Sequence, residues 1–282
     1  MTEQLDDLYT ARNLLYLGAY PQALNALSKV HARGAQELEQ QSLKHRALLA
    51  QGQRTPLPMQ PSALQTLGEQ LGKPEAAQAV EPLLTKEHLA SPVFAAVAAQ
   101  ALWNERPDEA LRVLAMHPKS PECLALSVAL LLKLNRADLA LKSVNGARAW
   151  AEDAPLAQLA EAWTGLHVGG EKYTEALYIF EELAQAVAGE TPLLMNARAV
   201  ARMHLGQVEQ AEELLLRALG QNAKHADTLA NLVVCAGLAG RPAETRAQYL
   251  AQLRDAAPDH PFVQDLAAKG AEFDQLAASF SQ

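Results

Sequence analysis

Apolar residues along the chain recur at helical rather than strand spacing. Leu5, Leu8, Ala11, Leu14 and Leu15 fall on one helical face, Gly18 breaks the run, and Pro21 sits in the first turn of the next helix. The same reading predicts a helix over 35–51, closed by Gly52. From Pro92 the pattern predicts paired helices over 92–104 and 107–116, over 121–134 and 137–149, and over 156–167 and 173–187. Further pairs follow over 192–205 and 208–219 and over 227–238 and 242–253, and Asp259-His260-Pro261 opens a last helix reaching about Phe280. Between 52 and 90 the pattern lapses. Pro56, Pro58 and Pro61 predict an irregular connection, Ser62 caps a short helix through about Leu71, and Pro82 shortens the helix after it. No strand-like alternation occurs, so the fold class is all-α.

The helix pairs share an internal grammar. Ala23 with Leu27, Ala110 with Leu114, Ala140 with Val144, Ala176 with Phe180, Ala211 with Leu215 and Thr245 with Tyr249 are each a small residue followed one turn later by a larger one. Twelve positions before the small partner stands another modest residue: Ala11, Ala98, Val128, Thr164, Ala199 or Val233. Five positions before it lies a turn residue: Gly18, Glu105, Asn135, Glu171, Gly206 or Gly240. Small residues let two helix backbones approach, and the large partner fills the space beside the contact. The steps from 176 to 211 to 245 have the period of a tetratricopeptide-type helical hairpin. The expectation is a right-handed solenoid of tandem hairpins, one domain over 1–282. A capping helix at about 259–280 would place Phe262, Leu266, Phe273 and Leu276 over the last hairpin.

Composition narrows the function. Hydrophobic residues make up 49% and aromatics 5%, a mix suited to closely packed helices. The net charge of −8 carries no basic stripe, which argues against nucleic acid as a partner. Cys123 and Cys235, far apart in apolar runs, read as buried inert thiols in a reducing compartment. The acidic start, Met1-Thr2-Glu3-Gln4-Leu5-Asp6-Asp7, lacks the features of a targeting peptide, and no run reaches the ~20 apolar residues that cross a bilayer. A cytoplasmic protein without direct membrane insertion is expected. Gly165-Leu166-His167-Val168-Gly169-Gly170 has the glycine spacing of a phosphate loop, but Glu171 stands where that loop needs lysine. The eight histidines form no metal motif, and Glu181 and Glu182, adjacent on a helix, point apart. No cofactor, metal, small-molecule substrate or enzyme activity is expected.

The first helix of each hairpin lines the inner surface of such a stack. The inward positions include Leu8, Leu15 and Tyr16 in the first hairpin, then Ala95, Ala99, Leu102 and Trp103, then Ala125, Ala129 and Leu132. Val200 and Met203, then Ala230, Val234 and Leu238, continue the series. This face is nearly uncharged. Either these side chains pack between neighbouring helices and fill the centre, or another chain occupies a groove, since soluble monomers seldom expose so large an apolar patch.

Several segments carry a family resemblance. Asn13-Leu14-Leu15-Tyr16-Leu17-Gly18-Ala19-Tyr20, Glu122-Cys123-Leu124-Ala125 and the run Leu132 to Ala140 are similar to the ε subunit family of coatomer, the COPI vesicle coat. Ala162-Trp163, Gly169-Gly170-Glu171-Lys172, Tyr178-Ile179-Phe180-Glu181-Glu182, His260-Pro261-Phe262 and Phe273-Asp274 extend the resemblance over nearly the whole chain, thinning around 53–90. It implies a non-catalytic coat subunit that binds the carboxy-terminal domain of the coatomer α subunit, an extended segment of which enters the helical superhelix. It also implies peripheral association with Golgi membranes and COPI vesicles, and a part in Golgi-to-ER and intra-Golgi transport. The alternative is a tetratricopeptide-repeat adaptor or co-chaperone gripping an acidic tail, for which Arg12 and Lys133 are the available groove cations.

Overall fold

A computed structural model describes residues 8–53, 76–186 and 190–280 of the chain. The predicted loop over 55–61 and the short helix over 62–71 lie outside the described residues. The described residues contain α-helices, one short 3-10 helix and no strand, and they fall into two compact units, Met1–Val187 and Ala188–Gln282.

In the first unit, α1 (Tyr9–Tyr16) and α2 (Tyr20–Lys29) form a hairpin, and α3 (Ala35–Ala50) follows. The short α4 (Ala76–Val80), a 3-10 turn (Glu81–Leu83) and α5 (Lys86–Leu89) fill the stretch that Pro82 interrupts. Three hairpins come next: α6 (Pro92–Leu102) with α7 (Pro107–Ala115), α8 (Pro121–Lys133) with α9 (Ala137–Ala151), and α10 (Pro155–Val168) with α11 (Lys172–Ala186). In the second unit, α12 (Pro192–His204) pairs with α13 (Val208–Gln221), α14 (Ala226–Leu238) pairs with α15 (Ala243–Ala256), and α16 (Pro261–Phe280) follows.

Two local devices set these boundaries. Several first helices open on a hydroxyl followed by proline. Ser91, Ser120 and Thr191 each accept a hydrogen bond from a backbone N–H of the first turn, while Pro92, Pro121 and Pro192 occupy positions whose N–H would be unused. Many first helices then close with the backbone in the left-handed region, at Gly18, Asn135, Gly206 and Gly240. At Asn135 the closing bonds run from Asn135 N to Leu132 O (2.9 Å) and from Arg136 N to Leu131 O (2.8 Å). Gly206 with Gln207 and Gly240 with Arg241 repeat this closure, which satisfies carbonyls that the helix end would otherwise leave bare. Asparagine tolerates this backbone better than other residues with a side chain.

The small–large pairs are the hairpin seams. Ala23, Ala110, Ala140, Ala176 and Ala211 are buried, as are Leu27, Leu114, Val144, Phe180 and Leu215. Their modest counterparts Ala11, Ala98, Val128, Thr164 and Ala199 are buried too. One close approach uses a residue outside that series. A Cβ added at Gly165 would stand 3.2 Å from the Lys172 carbonyl oxygen and 3.5 Å from Ala176 Cβ, so α10 and α11 meet where neither carries bulk. In the last hairpin Val233, Thr245 and Tyr249 are only half-buried.

The last helix departs from expectation. Phe262 and Val263 pack on the cluster of Leu229, Ala230 and Leu253. Leu266, Phe273 and Leu276 are exposed, so these three do not cover the last hairpin. After its first turn α16 runs clear of the hairpin, and the apolar stripe that its sequence presents faces outward.

Candidate partner-binding surface

The inward positions divide by environment. In the first unit, Leu8, Leu15, Ala95, Ala99, Leu102 and Ala125 are buried in the hairpin cores, as is Ala230 in the second, and offer no surface to a partner, which corrects the expectation that they line a groove. The physical reason is close neighbours on every side. Every residue of α6 except Pro92 and Gln100 is buried, because α4, α5, α7 and α8 surround it. Its all-round apolarity marks a central helix, not a helix with one wet and one dry face.

Tyr16 is half-buried, with its hydroxyl end turned into the interior of this unit. Arg46 of α3 places its guanidinium 5.4 Å from the centre of the Tyr16 ring and bonds Glu122 of α8, Nη1 to Oε1, at 2.5 Å. The Arg46 and Glu122 side chains are 16% and 13% exposed. Burial, the largest single influence, works against the Arg46 charge, but the Glu122 carboxylate and the Tyr16 hydroxyl together outweigh it and hold the guanidinium protonated. Burial, reinforced by the Glu122 charge, raises the Tyr16 phenol above its ordinary value. The Tyr16 hydroxyl is buried beside Glu122 and Arg46. Three helices distant in sequence are thus joined through one ion pair and one ring. The same curl brings α1 against α10, leaving a cleft of about 440 Å³ lined by Tyr9, Asn13, Leu14, Pro155, Gln158 and Leu183, among others.

Trp103, Ala129 and Leu132 are half-buried near the ends of α6 and α8. Lys133 lies 5.7 Å from the centre of the Trp103 ring and donates to Asn104 Oδ1 at 2.5 Å. Arg12 donates from Nε to Glu39 Oε1 at 2.7 Å. Both cations on which a grip for an acidic tail would depend are engaged within the unit.

The second unit keeps an apolar inner face in contact with solvent. Val200 and Met203 on α12 are half-buried, and Val234 and Leu238 on α14 are 41% and 57% exposed. A chain of polar side chains fixes α12 beside α14. Asn231 donates to Asn196 Oδ1 (2.9 Å), Asn196 donates to Thr228 Oγ1 (2.7 Å), and the Thr228 hydroxyl lies 2.9 Å from His225 Nδ1. The Thr228 backbone N–H also donates to His225 Nδ1, so the ring caps α14. Burial lowers the His225 pKa, which keeps that nitrogen unprotonated and able to accept. Val200 lies one turn beyond Asn196 and Val234 about one turn beyond Asn231, so the amide bond sets the apolar pair on one face. Sequence reading missed both asparagines. Their separation of one repeat was the available signal.

The described residues offer little reactive chemistry. Cys123 and Cys235 are buried, and burial pushes each thiol up to about 11, leaving it protonated near neutral pH. No group of three or more His, Cys, Asp or Glu among the described residues is placed to hold a metal ion. The glycine run over 165–170 is a helix end: Gly165 belongs to the α10–α11 contact, and Gly169 and Gly170 turn the chain with positive φ.

Comparison with known proteins follows from these features. The family model for the coatomer epsilon subunit matches residues 4–281. Coatomer subunit epsilon-2 of Oryza sativa subsp. japonica is 34% identical, over 98% of each chain. Coatomer subunit epsilon-1 of Arabidopsis thaliana is also 34% identical over 98% of each, and the Dictyostelium discoideum coatomer subunit epsilon is 29% identical over 98% of this chain and 99% of its own. Among solved structures, the APC/C hetero-tetramer Cut9-Hcn1 aligns with a TM-score of 0.62 at 14% identity, covering 92% of this chain and 54% of that one. That likeness shows the fold, a solenoid of tetratricopeptide-type helical hairpins.

Proposed function

The chain belongs to the coatomer epsilon subunit family, and on that premise we propose that it is a non-catalytic structural subunit of the COPI coat. It binds the carboxy-terminal domain of the coatomer α subunit and through it the rest of coatomer, supporting Golgi-to-ER and intra-Golgi transport. Its place is the cytoplasm and, through the coat, the surface of Golgi membranes and vesicles. Among the described residues no helix is long and apolar enough to cross a membrane. The observation that supports partner binding is the wet apolar face of the second unit, Val200, Met203, Val234 and Leu238, held in register by the Asn196–Asn231 bond. Trp103, Ala129 and Leu132 extend the proposal to the first unit. Leu15, Ala99 and Leu102 take no part, because they are buried in the interior.

Titration calorimetry against the coatomer α carboxy-terminal domain tests this reading. Leu238→Asp replaces the burial of an exposed leucine with a desolvated carboxylate, a loss of at least ~3 kcal/mol, or more than about a hundredfold in affinity. The free protein should keep its helical circular dichroism, since an aspartate at an exposed helical position costs about 0.5 kcal/mol. Leu132→Asp makes the same test for the first unit. Undiminished binding by both variants would place the partner on another face.

A further inference from the structure

The apolar stripe of α16 is left uncovered by the fold. Phe262, Leu266, Lys269, Phe273, Leu276 and Phe280 follow one another at alternating steps of four and three, the 3.5-residue period of a coiled-coil seam. Phe273 is 70% and Phe280 is 89% exposed, and no residue of the helix is buried. Helices in proteins owe most of their stability to packing of an apolar face, so the seam calls for a covering element.

The charges beside the seam decide which element. Asp265, Glu272 and Asp274 stand against the single ammonium of Lys269, and that ammonium is drawn to Asp265 at 2.6 Å. Glu272 and Asp274 bracket Phe273 in sequence at the middle of the seam. Helices that lie on anionic membranes carry lysine and arginine on their polar side, the reverse of this arrangement. A second copy of the chain would set acidic flanks against acidic flanks, between molecules that each carry a net charge of −8. A helix with basic flanks meets both the seam and its charges.

We propose that α16 docks a helix of a partner protein whose apolar seam is flanked by lysine or arginine, pairing with Phe273, Leu276 and Phe280 as a short heteromeric coiled coil. This surface is distinct from the inner face of the second unit, so it adds a contact to those proposed above.

Two synthetic amphipathic peptides of about three heptads, identical along a leucine–isoleucine seam and carrying either lysine or glutamate at the flanks, test the proposal by fluorescence anisotropy with the full chain. The lysine peptide should bind at least tenfold more tightly than the glutamate peptide, and its affinity should fall as salt is raised. Phe273→Asp should weaken it at least tenfold without loss of helical circular dichroism or of α-domain binding. The double variant Glu272→Lys, Asp274→Lys keeps the apolar seam and should reverse the preference in favour of the glutamate peptide. Equal binding of both peptides, or binding of neither, would overturn the proposal. So would a concentration-dependent dimer in sedimentation velocity that Phe273→Asp abolishes, or cosedimentation with phosphatidylserine vesicles that the same change abolishes.

Discussion

Removing one side of the Arg46–Glu122 pair should cost far more than removing both. Arg46→Met leaves a carboxylate that is only 13% exposed without its cation, and Glu122→Met leaves a guanidinium that is 16% exposed without its anion. Stripping one partner from a buried pair costs about 3–5 kcal/mol, and the residual water contact places each single variant near 3 kcal/mol. Arg46→Met combined with Glu122→Met fills the same volume with apolar side chains and should cost about 1 kcal/mol or less. A double-mutant cycle therefore shows a coupling of several kcal/mol. The readout is selective, because Trp103, Trp150 and Trp163 are the protein's three tryptophans and all lie in the first unit. With a urea slope near 2 kcal/mol/M, each single variant should move the fluorescence midpoint down by about 1.5 M, and the double variant by about 0.5 M or less. Single variants that each shift the midpoint by less than about 0.5 M would mean that the pair behaves as a surface ion pair. The centre of the first unit would then be hydrated and open, and the assignment of Tyr16 to the interior would fail.

Three other outcomes follow from the packing and the titrating groups. Ala211→Arg forces a charged side chain into the fully buried α12–α13 seam and should cost about 4 kcal/mol or more, read as a lowered midpoint by circular dichroism. His225 titrates below the ordinary histidine value in the folded chain, so the unfolded chain binds the proton first as pH falls. Its contribution is complete above about pH 6.5 and is lost as pH drops from there toward the lowered folded value, and His225→Ser, which can cap without titrating, should flatten that part of the stability profile. Cys123 and Cys235, with thiols near 11, should react with a disulfide reagent at pH 8 roughly a hundredfold more slowly in the native state than in urea.

The hairpin seams were legible in the sequence because their rule is local. A small residue and a large one four positions on must share a helical face, so Ala140 with Val144 and Ala211 with Leu215 announce a contact without knowledge of what lies across it. The inner surface was less legible, because inwardness depends on how far the stack curls. Trp103 and Leu238 each stand seven positions before the small residue of their hairpin, but packing half-buries the first and leaves the second 57% exposed. Arg46 and Glu122 gave no sequence signal of their pairing, since curvature summed over many residues brings them together. The stripe on α16 was plain from its spacing. The sequence could not say that the last hairpin would engage only Phe262 and Val263.

The meeting of α1 with α10 bears on how the first unit is made. An open stack of repeats can settle hairpin by hairpin as it is synthesised, because each hairpin needs only its neighbour. Here the earliest hairpin awaits a face that includes Pro155 and Gln158. At about 5–20 residues per second, those residues follow α1 from the ribosome roughly 10–30 s later. Throughout that interval the start of the chain carries apolar surface that its own later sequence is meant to shield, which makes it a natural client for chaperones during translation.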